Sequence, residues 1–385
     1  MWLNGSDVLS CLTAMDTLIT MSTNALLDTI ERRIAELVRP FVMPPSDERS
    51  DDPCAVILHT TANQAVTSSE GGKRLRAMLT MDTFNAVTAE PQQHAPILDI
   101  ACAIEVFQTA ALVHDDIIDD ADLRRGKPAA HKALAASVHD APLGMGLGIM
   151  LGDLLATASV DIANNAARQL PNADAIVSAF LTMHREVEIG QVLDLAAARY
   201  PMSDPERLAE TSLNVFRWKT ASYTTIAPLK LGLLAAGMSV NDACHHALSI
   251  GTPLGLAFQL ADDLIDVIGS SSATGKPVGG DIREGKRTVL LADALHSATL
   301  EQRHELITMF EAPSRTDEQI HRTIELFHAT GAINRSRQRI ADLWKNTLAA
   351  IRCMPLSDDA MQKIADSCAR FVPSVHYTHQ QPLGM

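Results

Sequence analysis

The stretch Ile97 to Asp119, ILDIACAIEVFQTAALVHDDIID, decides the fold. Ile97, Ile100, Ala101, Ile104, Val106, Phe107 and Ala111 recur at helical spacing, which turns one broad apolar face toward a core. The same period appears upstream in Leu26, Ile30, Ile34 and Leu37, and strand-like alternation is almost absent. Breakers punctuate the chain between such segments: Pro44 onward, Glu90-Pro91, Gly126 to Pro128, Pro171-Asn172, Ser203-Asp204-Pro205, Ser270 to Gly280 and Pro313 to Asp317. No Gly/Ser linker or fixed-period repeat divides it. The reading is all-α, a single large helical bundle of roughly a dozen helices, with residues 1–21 disordered and 373–385 a frayed tail.

Composition narrows the function. The 385 residues carry Lys+Arg 32 against Asp+Glu 46, a net charge of -14, with only three Trp, three Tyr and nine Phe. Nucleic acid is excluded as a partner, because phosphate binding needs basic patches and base stacking needs aromatics. The six cysteines form no CxxC pair, which fits reduced thiols and a cytoplasmic protein. The first basic residue is Arg32, so the N-terminus lacks a signal-peptide start. No membrane span is expected: the most apolar window, Pro142 to Ala158, holds four glycines and Asp153.

The decisive helix ends in LVHDDIIDDADLRRG, Leu112 to Gly126. Asp115 and Asp119 lie one turn apart on one face, with Asp116 at its edge. QLADDLIDVIG repeats the pattern with Asp262, Asp263 and Asp266, and Gln259 one turn earlier. One such cluster reads equally well as a solvated face. Two clusters flanked by apolar residues point to hard cations, since Mg²⁺ takes carboxylate oxygens together with waters and substrate phosphates. Cations stand ready for those phosphates: Lys73, Arg74 and Arg76 follow Gly71-Gly72 at a helix start, where the dipole favours an anion. Arg124-Arg125, Lys219, Lys276 and Lys286-Arg287 add donors. Together they suggest two diphosphates.

On these motifs the sequence resembles a trans-isoprenyl diphosphate synthase of the polyprenyl synthetase family. The marks run in order: GGKRLR from Gly71, DDIID from Asp115, RRG from Arg124, GDLL from Gly152, GQVLD from Gly190, KT from Lys219, FQLADDLID from Phe258 and GKPVGGDIREGKRT from Gly275. The resemblance covers Leu26 to Val372 and implies a polyprenyl synthetase domain over 22–372, of the isoprenoid synthase type with a central active-site cavity. It departs from the usual pattern at Ala77 and at Val289-Leu290, where proline is frequent; the charged groups are intact.

The resemblance implies a magnesium-dependent condensation of isopentenyl diphosphate with an allylic diphosphate, with three Mg²⁺ per active site. Asp115, Asp119 and Asp262 would bind the metal, with Asp116, Asp263 and Asp266 in or behind that shell. Lys73, Arg76, Gln108 and Arg125 would hold isopentenyl diphosphate. Arg124, Lys219, Thr220, Gln259 and Lys276 would contact the allylic substrate, and Asp115, Asp116, Asp119, Arg124, Lys219 and Asp262 are the candidate catalytic residues. Gln191 and Asp194 would support them. A homodimer is expected, and the loop Ser270 to Gly280 is a candidate lid.

Product length is read from the helix below Asp115. Ala111 lies about 6 Å and Phe107 about 12 Å down its axis, and Ala110 and Ala111 are small. With Phe107 as floor the expected product is C20, geranylgeranyl diphosphate; a Phe107 that merely packs between helices leaves longer products open, and a farnesyl synthase is the shorter alternative. A class I terpene cyclase needs no second diphosphate site, and a non-catalytic regulatory subunit can lose aspartates that are all present here.

Overall fold

The computed structural model describes residues 5–43, 52–88, 94–269 and 278–372, with side chains from residue 24 onward. The chain folds into two compact units, Met1–Met81 with Gln92–Gln169, and Asp82–Pro91 with Leu170–Met385. The boundary after Gln169 lies beside the breaker Pro171-Asn172, and Asn172 adopts a left-handed backbone, φ +57°.

The first unit contains α1 (Gly5–Val42), α2 (Pro53–Ser68), the start of α3 (Leu75–Val87), α4 (His94–Ile118), α5 (Ala130–Val138) and α6 (Ala141–Ala167). Helix α1 thus includes residues 5–21, for which the sequence reading expects disorder. Asp52 and Asp140 cap α2 and α6, accepting from Cys54 N at 3.0 Å and Leu143 N at 3.0 Å, each beside an early proline. Helix α4 is the axis of this unit: Ile97, Ile100, Ile104 and Phe107 are at most 1% exposed, each contributing about 1.5–3 kcal/mol of burial. It packs chiefly on α6, where Gly148 and Gly152 leave no room for a Cβ beside His131, Ile117 and His114.

Between α4 and α5 the chain makes a two-stranded hairpin, β1 (Leu123–Arg124) and β2 (Lys127–Pro128). Its turn residues Arg125 and Gly126 both have positive φ, +52° and +75°, the backbone that matches strand twist in two-residue hairpins.

The second unit contains α7 (Ala173–Ala197), α8 (Pro205–Val215), a π-helical segment (Phe216–Ile226), α9 (Ala227–Ala235) and α10 (Val240–Ile268). These are followed by α11 (Gly280–Glu284), α12 (Val289–Ser297), α13 (Leu300–Glu311), α14 (Asp317–Ala329), α15 (Ala332–Arg352) and α16 (Asp358–Ala369). Helix α10 packs against α15, the π segment and α9. Helices outnumber the expected dozen because the last third breaks at local caps: Thr299 with Gln302 and Thr316 with Gln319 form capping boxes, and Ser357 caps α16. Among the described residues α4 and α6 are long and apolar enough to cross a membrane; α4 is mostly buried within its own unit. All five described cysteines are free thiols.

Candidate active site

In the first unit α4 carries Gln108, Ala111 and Asp115 along one stripe. Asp119 follows the last helical residue, yet its N–H still bonds the Asp115 carbonyl at 2.9 Å, so the two carboxylates keep helical register. Asp115 is half-buried and Asp119 exposed. Asp116 is different. It is buried, and Arg124 grips it from the hairpin, Nε to Oδ1 at 2.9 Å and to Oδ2 at 3.2 Å, with a further bond from NH2. Burial works against the Arg124 charge, but Asp116, then Asp115 and Asp119, hold its pKa above the usual value. In this geometry Asp116 serves as counter-ion to Arg124.

Arg125 points the other way, donating through NH1 to the carbonyls of Glu70 (2.9 Å) and Gly71 (2.8 Å). Both hydrogen-bond acceptors are neutral; burial, then Arg74 and Arg124, pull its pKa below the usual value against the opposing pull of Glu105 and Glu31. That is an electropositive spot. A cavity of about 460 Å³ opens here, lined by both arginines, Lys127, Gly71, Gly72 and Thr109 among others; Lys73, Arg76 and Gln108 are not on its wall.

The cations of GGKRLR divide by role. Lys73 is exposed, Arg76 is buried in the first turn of α3, and Arg74 is a structural tie. Arg74, at φ +49°, binds Glu31 of α1 (2.8 Å), Glu105 of α4 (3.5 Å) and the Ser69 carbonyl. Glu105 also accepts from Ala77 N at 3.0 Å. That amide at the start of α3 is thus already taken by a side chain of the protein. Of the residues expected from the sequence to set product length, Phe107 and Ala110 are each 1% exposed and Ala111 is half-buried.

In the second unit the π segment carries Lys219 and Thr220. π turns recur at functional sites, and GQVLD explains how this one is seated. A Cβ at Gly190 would collide with the Lys219 backbone, and Asp194 takes the Lys219 ammonium at 2.6 Å. Thr220 Oγ1 donates to Gln259 Oε1 (2.9 Å), and Gln259 Nε2 donates to Asp263 Oδ1 (2.8 Å).

The second aspartate motif is likewise split. Asp262 is exposed. Asp263 is 4% exposed with Oδ2 lacking a hydrogen-bond partner, and burial, then Asp281, pushes its carboxyl well above the usual range. Asp266 caps α11, accepting from Gly280 N (3.0 Å) and Asp281 N (3.1 Å). Asp281 is a member of this cluster that the sequence reading did not single out. Its carboxyl is pushed up to about 6 by burial and by Asp266, Glu284 and Asp262, against the opposing pull of Lys286, 3.5 Å away. The signal was present in GGDIREGK, an acid at the start of a helix after two glycines. Lys276 and most of the Ser270 to Gly280 loop lie outside the described residues.

The donor set suits Mg²⁺. Every group is a carboxylate oxygen, the kind of donor a hard cation takes; burial first, and neighbouring carboxylates after it, raise Asp263, Asp266 and Asp281 above the usual range. Among the described residues no three such side chains form a ready-made cage.

The polyprenyl synthetase family model matches residues 57–327. This chain belongs to that family. It is an isoprenyl diphosphate synthase, a prenyltransferase. It is 34% identical over 244 residues to the short chain isoprenyl diphosphate synthase of Methanothermobacter thermautotrophicus, covering 62% of this chain and 68% of that one. It is 30% identical over 287 residues to the octaprenyl diphosphate synthase of Escherichia coli, covering 74% and 81%. Among solved structures it resembles the geranylgeranyl pyrophosphate synthase of Corynebacterium glutamicum complexed with isoprenyl diphosphate and magnesium. There the TM-score is 0.77 at 30% identity, with 90% of this chain and 98% of that chain covered. The synthase therefore has the all-α isoprenoid synthase fold that the sequence implies.

Proposed function

We propose that this synthase condenses isopentenyl diphosphate with dimethylallyl, geranyl or farnesyl diphosphate in a magnesium-dependent reaction whose main product is C20 geranylgeranyl diphosphate. The observation that carries the reading is the division of labour on α4 and its hairpin. Asp115 and Asp119 stand in register and are accessible, Asp116 is spent on Arg124, and Arg125 donates to the neutral carbonyls of Glu70 and Gly71. One side thus suits a metal-bound diphosphate and the other a diphosphate held by side chains alone.

When bound, Mg²⁺ supplies positive charge against the leaving pyrophosphate. In the first unit Arg124 orients a diphosphate, and in the second Lys219, steadied by Asp194, is a further cation for substrate phosphate. Lys73, Arg76, Gln108 and Arg125 hold isopentenyl diphosphate. The allylic C–O bond breaks, the isopentenyl double bond forms the new C–C bond, and a proton leaves to the released pyrophosphate. Thr220 and Gln259 present polar groups toward the cationic carbon. Water has to be kept out of this step, which suits the apolar neighbours of both motifs.

Ala111 and Ala110 are small side chains below Asp115, and Phe107, deeper and 1% exposed, is the proposed floor. A homodimer is also proposed: α6 exposes Leu143, Met145, Ile149 and Met150, apolar area that a second copy would cover. The free cysteines support a cytoplasmic setting. Chromatography of the products made with each allylic primer tests the reading. Elongation ending at C20 supports it; C40-length products would remove Phe107 as floor, and release of a cyclised hydrocarbon would replace the synthase reading with a cyclase.

A further inference from the structure

The helix pair α4/α6 holds a histidine beside the first aspartate motif. His114 immediately precedes Asp115, and its ring packs against α6 at Gly152, where any side chain would overlap it. His114 Nε2 is 3.2 Å from the Ile149 carbonyl and 3.5 Å from Asp153 Oδ1. A carbonyl only accepts, so Nε2 carries the proton and donates.

We propose that His114, seated on Gly152, hydrogen-bonded to the Ile149 carbonyl and near Asp153, is a positioning residue of the first aspartate motif. Consecutive residues on a helix point about 100° apart, so anchoring the 114 side chain to α6 fixes the direction of the 115 side chain and, one turn on, of the 119 side chain. The anchor stands where the helix is weakest. Helix α4 ends at Ile118, and Asp120 has already turned left-handed at φ +49°. Arg124 ties Asp116 on one side of this last turn, and His114 ties the opposite side to α6; with only one of the two the turn can fray, and the two carboxylates lose the common face on which a shared cation depends. Steric contact alone would not set this direction, because the Ile149 carbonyl supplies a directional bond and Gly152 only the floor beneath it. Asp153, 60% exposed, is the weaker partner.

The proposal rests on the reading that Asp115 and Asp119 bind the metal and the allylic diphosphate. Its test compares H114Q, whose amide reaches Ile149 as the imidazole does, with H114F, which keeps a ring on Gly152 but donates nothing. The measurements are the Mg²⁺ concentration at half-maximal activity and the KM for each substrate. H114F should raise the Mg²⁺ requirement and the allylic KM at least fivefold, leave the isopentenyl KM within twofold, and H114Q should restore both. Equal loss of all three constants in H114F and H114Q, or no change in H114F, overturns the positioning role. Should H114F melt too low to assay, H114N, polar but too short to reach Ile149, takes its place in the comparison. Wild-type protein without Mg²⁺-dependent elongation would sink the underlying reading instead, so the two failures are distinct.

Discussion

Arg124 and Asp116, eight residues apart, form a two-pronged ion pair that closes the hairpin after α4, with Nε 2.9 and 3.2 Å from the two carboxylate oxygens. The pair separates two functions that DDxxD spacing merges. Asp116→Asn leaves a guanidinium facing a neutral amide. Breaking a buried pair costs about 3–5 kcal/mol; with Arg124 27% exposed, we expect nearer 2 kcal/mol of stability, together with lost activity. Asp119→Asn, at an exposed position, should leave the melting temperature unchanged and lower kcat/KM by two orders of magnitude or more. Melting curves beside initial rates check this; equal thermal destabilisation by both variants would contradict it.

Phe107 is 1% exposed. Phe107→Ala should lengthen the product by at least one five-carbon unit and cost about 3–5 kcal/mol of stability. Product chromatography reads the first effect and denaturant unfolding the second. Lost stability with an unchanged product would make Phe107 a packing residue only.

Gly190 sits on α7 against the backbone of Lys219. A glycine-to-alanine change inside a helix ordinarily stabilises by about 1 kcal/mol. Here the new methyl meets backbone, so Gly190→Ala should lower the melting temperature and reduce turnover at least tenfold by displacing Lys219 and Thr220. A gain in stability with unchanged turnover would show that the π segment tolerates the shift.

Burial pushes the His184 imidazole down to about 4. The folded protein keeps this ring neutral to a lower pH than the unfolded chain, whose histidine titrates near 6.5. The unfolded state therefore gains a proton that the folded state does not as pH falls from about 6.5 to about 4, and stability drops across that window. His184→Leu should flatten the loss between pH 7 and pH 4.5, measured as the change in melting temperature. Parallel losses in wild type and variant would assign the acid limb elsewhere.

The fold was legible because Ile97, Ile100, Ile104 and Phe107 do face a core, and breakers such as Ser203-Asp204-Pro205 do start helices. The hairpin at Arg124 to Lys127 was not, since two-residue strands have no room for alternation and the turn depends on a positive φ at an arginine. Within the site, spacing located both aspartate motifs but could not assign their oxygens. Asp116 is committed to Arg124, Asp263 to Gln259 and Asp266 to the amides that begin α11. Such commitments depend on which backbone arrives from elsewhere in the chain. The same holds for Arg74, which reads as a phosphate ligand beside Lys73 until Glu31 and Glu105 are seen to enclose it. Asp281 enters the second cluster only through the fold of the segment after the loop.

Pyrophosphate release from purified wild-type protein, with Mg²⁺ and geranyl diphosphate, isopentenyl diphosphate, or both, tests the central claim most directly. Release that requires both diphosphates and stops when the metal is chelated is the predicted result. Release from geranyl diphosphate alone, or none from the pair, would contradict a condensation between two diphosphates at this site.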